Sequence, residues 1–201
     1  MNDFPQIRDI CIDDYVNEIK LSLDNKNYLS ALSVALMIPD ICKNVSNDEI
    51  CYAEWFNKYV YEPFYNFPTI ENIDKNNKAY QLYDIKLNGY VCYALRNAIL
   101  HSGTSYVEFK KAGQKEKAKI DHIELCINGN SDLDKQYGES VSITRYNNEQ
   151  KRISIRINIV NLILNILKGY NEFKKDNGDI RLFSMIDWDK KGGKIIFTPN
   201  K

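Results

Sequence analysis

A chain of 201 residues is long enough for one domain with a real core and barely long enough for two, and a hydrophobic content of 44% is ordinary for a globular protein. Its 27 basic and 27 acidic side chains cancel. With an isoelectric point of about 6.7, the chain falls outside the strongly basic class that binds polyanions indiscriminately, so any nucleic-acid contact must be local. Five scattered cysteines (Cys11, Cys42, Cys51, Cys92, Cys126) without CxxC spacing predict free thiols in a reducing compartment, no zinc site and no cofactor. The opening MNDFPQIRDI is acidic and polar, unlike a secretory signal, and no stretch approaches a membrane span. The expectation is a soluble, cytoplasmic protein without membrane contact.

In chain order, Ile12, Val16, Ile19 and Leu23 recur at helical spacing, with Asp13 and Asp14 in the electrostatically favourable first turn. YLSALSVALMIPDIC is apolar nearly all round and predicts a central buried helix that Pro39 ends or kinks. Ser46 and Glu49 have capping-box spacing ahead of a helix whose buried stripe is Ile50, Ala53, Phe56 and Val60, closed by Pro63. Trp55, Phe56, Tyr59 and Tyr61 fall at helical positions and read as core rather than as a base-stacking platform. NFPTIENIDKNNK is loop-like. The next helix carries Leu87, Val91, Leu95 and Ala98 on one face, with Gly103 placed just past its end.

After residue 103 the period changes. Ile123, Leu125 and Ile127 alternate with polar residues, as do Val141 and Ile143 and then Ile153, Ile155 and Ile157, the last two strands joined by YNNEQK. His122 reads as an exposed strand residue. A long amphipathic helix follows on Ile159, Ile163, Ile166, Tyr170 and Phe173, and RLFSMIDWDKKGGKIIF predicts a final hairpin around Gly192 and Gly193. The fold class is therefore mainly α (α+β): a helical bundle with a small antiparallel β insertion, about residues 104–157, before the last long helix.

The stretch carrying chemistry is RNAILHSG, residues 96–103. Asn97 and His101 stand at i and i+4 and share a helix face, with Tyr93 one turn earlier; the long Arg96 side chain leans toward the same patch. In the last helical turn the negative end of the helix dipole favours imidazolium at His101. A guanidinium, an amide and an imidazole on one side can handle a phosphate. The same residues also have a structural reading, in which His101 and Gly103 cap the helix and Arg96 pairs with an acidic residue elsewhere in the bundle.

YALRNAILHSG resembles the active-site helix of the HEPN superfamily, whose catalytic members carry arginine, a polar residue, three more residues and histidine; Arg96, Asn97 and His101 match without a gap. The layout around it, from LSALSVALMIPDIC to RINIVNLILNILKGYNEF, resembles uncharacterised prokaryotic and phage HEPN-like proteins. The resemblance implies one HEPN-like domain over residues 1–201, an up-and-down bundle, and a homodimer in which the motif helices face each other. It further implies metal-independent RNA cleavage, a role in phage defence or as a toxin, and a protein partner such as an antitoxin. Under it His101 is the acid–base group, Arg96 the phosphate and transition-state group and Asn97 the orienting residue, with Tyr93, Ser102, Lys110 and Lys111 as substrate-binding candidates. The lysines of FKKAGQKEKAKI could guide an RNA backbone toward His101 or form a solvated loop. The alternative function is a non-catalytic HEPN-like binding or dimerisation module.

Overall fold

Apolar residues at helical spacing in the first quarter of the chain become three short helices, and the reason they are short is local. In the computed structural model, which describes residues 4–46, 49–65, 87–106, 120, 122–127, 139–146 and 150–192, strand β1 (Phe4–Cys11) leads into α1 (Ile12–Asp24), α2 (Tyr28–Ala35) and α3 (Ile38–Val45). Asp14 Oδ2 accepts the Cys11 N–H at 2.8 Å and so satisfies a donor at the start of α1. That backbone donor and the neighbouring Arg8 guanidinium hold the Asp14 carboxyl below the usual carboxylate range. Pro39, expected to end or kink one continuous helix, instead stands in the first turn of α3. The helix has already broken at Leu36–Met37, where the Met37 N–H turns tightly onto Val34 O at 3.1 Å. A proline in a first turn lacks only an N–H that would have no intrahelical partner.

The next helical run is α4 (Tyr52–Phe56), a π-helical turn (Asn57–Tyr61) and α5 (Glu62–Phe64). Its capping box lies one segment later than expected. Ser46 ends α3, donating its N–H to Cys42 O at 2.9 Å, and the Glu54 carboxylate accepts the Cys51 N–H at 2.7 Å. Cys51 is thereby an exposed cap residue and not part of an apolar run. Ala53, Phe56 and Val60 are buried as expected, Ile50 is half-buried, and the run stops one residue after Pro63. Trp55, Phe56 and Tyr59 are core residues. The loop-like segment 66–78 lies outside the described residues.

Helix α6 (Gly89–Asn97) continues into a second π-helical turn (Ala98–Ser102). Asn88 caps its start by accepting the N–H groups of Tyr90 and Val91 at 3.0 and 3.1 Å. Leu87, Val91, Leu95 and Ala98 are all buried. Beyond it come β2 (His122–Cys126), β3 (Glu139–Tyr146), β4 (Gln150–Asn158), the long α7 (Ile159–Asn177) and β5 (Arg181–Gly192). Every residue of the expected α7 stripe, Ile159 through Phe173, is buried.

One expectation about strands is corrected. The insertion is mixed, not purely antiparallel: β3 pairs antiparallel with β4, while β2 runs parallel to it, giving the order β2-β4-β3. With β4 central, Ile123 of β2 lies opposite Ile155, and both are buried against the helices with Ile157. The Glu124 carboxylate accepts from Arg156, Nη2 at 2.9 Å, across that parallel pair. The second arm of the hairpin expected around Gly192 and Gly193 lies outside the described residues. β5 pairs antiparallel with β1 along a separate two-stranded ribbon, Ile7 opposite Ile186 and Phe4 opposite Gly192. The pairing satisfies backbone N–H and C=O groups that an isolated strand would leave to water.

The helices form one core: α1 packs on α2, α4 on α6, and α7 on α2, α3 and the first π turn. Trp55 of α4, Tyr59 of the first π turn and Phe173 of α7 meet edge-on or tilted at 5.2–6.0 Å. The architecture is thus a mainly helical α+β bundle carrying a small sheet. No helix among the described residues is long and apolar enough to cross a membrane.

At one end of the bundle a polar cluster ties α1 to α7. Asp13 accepts from the Tyr170 hydroxyl at 2.8 Å and from Lys174 Nζ at 2.6 Å, and Lys174 also meets Asp179 at 2.5 Å. The Lys174 hydrogen bond outweighs desolvation and holds the Asp13 carboxyl below the ordinary 3.8. A depressed carboxyl contributes stability above its unfolded pKa, and that contribution is lost as pH falls through the folded value. Asp13→Asn is therefore expected to flatten the acid limb of a melting-temperature-against-pH curve below about pH 5. An acid limb as steep as that of the native chain would contradict this.

Candidate functional site

The residues of RNAILHSG leave the core at the exposed end of α6. Arg96 lies in the last α-helical turn, and His101 one residue short of the end of the π-helical turn. Gly103 follows in the left-handed conformation (φ 61°), which favours glycine. Its N–H donates to Ile99 O at 3.1 Å and the Thr104 N–H to Ala98 O at 3.2 Å, so two terminal carbonyls are satisfied. The expected glycine stop is present.

Arg96, Asn97 and His101 come together, though not by the face-sharing of Asn97 and His101. Arg96 Nη1 donates to Asn97 Oδ1 at 2.9 Å and stands 3.0 Å from His101 Nε2. A guanidinium has only donors, so the imidazole accepts at Nε2 and carries its own proton on Nδ1. The amide orients Arg96. A π-helical turn, which bonds residues five apart, brings position 101 back over position 96 where an ordinary α-helix would carry it away.

Arg96 is also held from outside its helix. Its Nε lies 2.9 Å from Asp40 Oδ2 in the first turn of α3, with the side chains 22% and 19% exposed. Both atoms are buried and neither meets hydrogen-bond geometry, so the contact is charge against charge. The other Asp40 oxygen meets Lys43 Nζ at 3.0 Å. Nearby, the buried Tyr52 hydroxyl donates to Leu36 O at 3.2 Å and lies 3.5 Å from Cys92 Sγ. Burial pushes the Tyr52 phenol well above its ordinary range and the Cys92 thiol to about 12; neither group is suited to nucleophilic work.

The remaining candidates separate. Tyr93 sets its ring 5.3 Å from the Tyr52 ring and packs against the core. Ser102 is exposed beside His101. Lys110 and Lys111 lie outside the described residues. His122, expected exposed, is half-buried, its Nε2 3.3 Å from Ser105 Oγ and its ring tilted against Tyr106 at 5.1 Å. The Ile123 N–H donates to Ser105 O at 3.3 Å, so the segment leaving the motif is pinned to the sheet. A shallow cavity of about 350 Å³, lined by Asn57, Tyr61, Glu62, Asn88 and Tyr90, opens at the other end of α6. Among the described residues no three His, Cys, Asp or Glu side chains are grouped so as to hold a metal.

The structural reading of Arg96, a pair with an acidic residue elsewhere in the bundle, is met by Asp40, which sequence reasoning did not identify. Its only local signal was an acidic residue directly after Pro39, and nothing there names a distant arginine. Compared with protein-family models, with curated proteins and with solved structures, the chain matches none.

Proposed function

We propose that this chain is a HEPN-like, metal-independent endoribonuclease. The single observation that carries this reading is the 3.0 Å contact between Arg96 Nη1 and His101 Nε2 at an exposed helix end. There an acid–base group and a phosphate fork lie within reach of one phosphodiester. The ribose 2′-oxygen attacks the adjacent phosphorus while its proton passes to Nε2 of a neutral imidazole. Arg96 shifts from His101 onto the non-bridging oxygens, where charge accumulates; its Nη2 has no hydrogen bond among the described residues and is ready for the first of these contacts. The bond from phosphorus to the 5′-oxygen breaks, leaving a 2′,3′-cyclic phosphate, and the departing oxygen takes a proton. One imidazole cannot hold and release both protons at once, which favours a site shared by two copies of the chain across a two-fold axis. A role in phage defence or as a toxin held by a protein partner belongs to the same proposal.

The test compares the native chain with His101→Ala and Arg96→Ala, all checked for fold and oligomeric state, on RNA with EDTA present. Each substitution is expected to lower cleavage by at least about 100-fold. Equal activity in all three would remove the reading.

A second reading, a non-catalytic binding or dimerisation module, is favoured by the Asp40–Arg96 pair, since that contact also joins α3 to α6. It predicts that Arg96→Ala loosens the bundle and that none of the proteins cuts RNA.

A further inference from the structure

We infer that Asp40 is a positioning residue for Arg96, aiming the guanidinium fork at the phosphate; this rests on the ribonuclease reading above. A guanidinium is planar and rigid, so restraining Nε and one Nη nitrogen narrows the directions open to the third. Asp40 Oδ2 holds Nε at 2.9 Å, and Asn97 Oδ1 with His101 Nε2 holds Nη1. The guanidinium is then restrained at two of its three nitrogens, by charge at Nε and by hydrogen bonds at Nη1, and Nη2 makes no hydrogen bond among the described residues.

The carboxylate is itself well anchored. Ile38, Pro39 and Cys42 are buried around it on α3, and Lys43 engages its second oxygen at 3.0 Å. The site is sheltered, Asp40 being only 19% exposed, so the pair is less screened than a surface pair. Among the described residues the charged partners of Asp40 are Arg96 and Lys43, and it makes no hydrogen bond or ion pair with His101. Its effect on cleavage must pass through Arg96, and this separates positioning from a general contribution to folding.

The experiment measures single-turnover and steady-state cleavage of an unstructured RNA by the native chain, Asp40→Asn, Asp40→Glu, Arg96→Lys and the Asp40→Asn/Arg96→Lys double variant, with urea stability recorded for each. Asp40→Asn is expected to lower kcat by about 10- to 100-fold with little change in KM, since a loosened but charged Arg96 still attracts the backbone while missing the transition state. Asp40→Glu, which keeps the charge, is expected to recover part of that loss. In the Arg96→Lys background Asp40→Asn is expected to cost less than about threefold, because the fork it aims is gone. Three results overturn the inference: an unchanged kcat in a folded Asp40→Asn, an undiminished cost in the Arg96→Lys background, or an Asp40→Glu as impaired as Asp40→Asn. If Asp40→Asn does not fold, Asp40→Glu with native kcat overturns it and a reduced kcat at native stability supports it. Failure of the native chain to cut RNA overturns the ribonuclease reading and this inference together; native cleavage with an indifferent Asp40 overturns only the inference.

Discussion

Gly89→Ala is expected to destabilise the fold by about 3 kcal/mol, although the same exchange inside an exposed helix would stabilise it by about 1 kcal/mol. The sign reverses because of where α6 begins. A β-carbon at position 89 would stand 2.0 Å from Ala53 O and 2.6 Å from Ala53 C, backbone atoms of α4 that no rotamer change can move. The Gly89 N–H meanwhile donates to Asn57 Oδ1 at 2.7 Å, which pins the start of α6 to the π turn following α4. The two helices must separate to admit a methyl group, and the core between them, Tyr52 and Phe56 against Val91 and Leu95, opens with them. Chemical denaturation followed by circular dichroism measures the loss. A midpoint equal to or above that of the native chain would show that the close approach is not real.

Trp55→Ala carries the second large effect, a loss of about 4 kcal/mol. The indole is fully buried and bridges Tyr59 and Phe173, so truncation leaves a void that helices on both sides constrain. Trp55→Phe is expected to cost less than about 2 kcal/mol. The indole Nε1 is buried without a hydrogen-bond partner among the described residues. Removing a donor that is desolvated but unpaired recovers part of what the smaller ring gives up. The comparison is read from urea midpoints at an unchanged denaturant slope. Equal losses in the two variants would mean that the indole N–H is satisfied after all.

Periodicity made the helix faces legible. Leu87, Val91, Leu95 and Ala98 on α6, and Ile159 to Phe173 on α7, face the core because burying an apolar stripe is what stabilises a helix in a protein. Gly103 was legible for an equally local reason, a backbone angle favouring glycine. Contacts remote in sequence were not. The charged, proline-containing FPQIRDIC has little strand character until β5, from the far end of the chain, lies beside it. The parallel pairing of β2 with β4 joins segments remote in sequence, and alternation alone does not encode it. At the candidate site the sequence placed Arg96, Asn97 and His101 on one broad side of a helix, and they do lie together. It offered no sign of Asp40, because an ion pair leaves no periodic trace. Nor did it reveal the π-helical turns, since one additional residue per turn barely disturbs an apolar stripe.

The wide turn at Ala98–Ser102 also sets a phase relation along the helix. In a coil of 3.6 residues, positions five apart stand about 140° out of line, so the spacing between Arg96 and His101 works only while the coil is locally slack. Deleting one residue between them is tolerable if the turn relaxes to the ordinary pitch, because four-apart positions then share a face. Lengthening the interval by one residue without a further change of pitch rotates the imidazole off the guanidinium. Along this stretch sequence length and helical winding can change only in concert, a coupling that loops of the same size do not have.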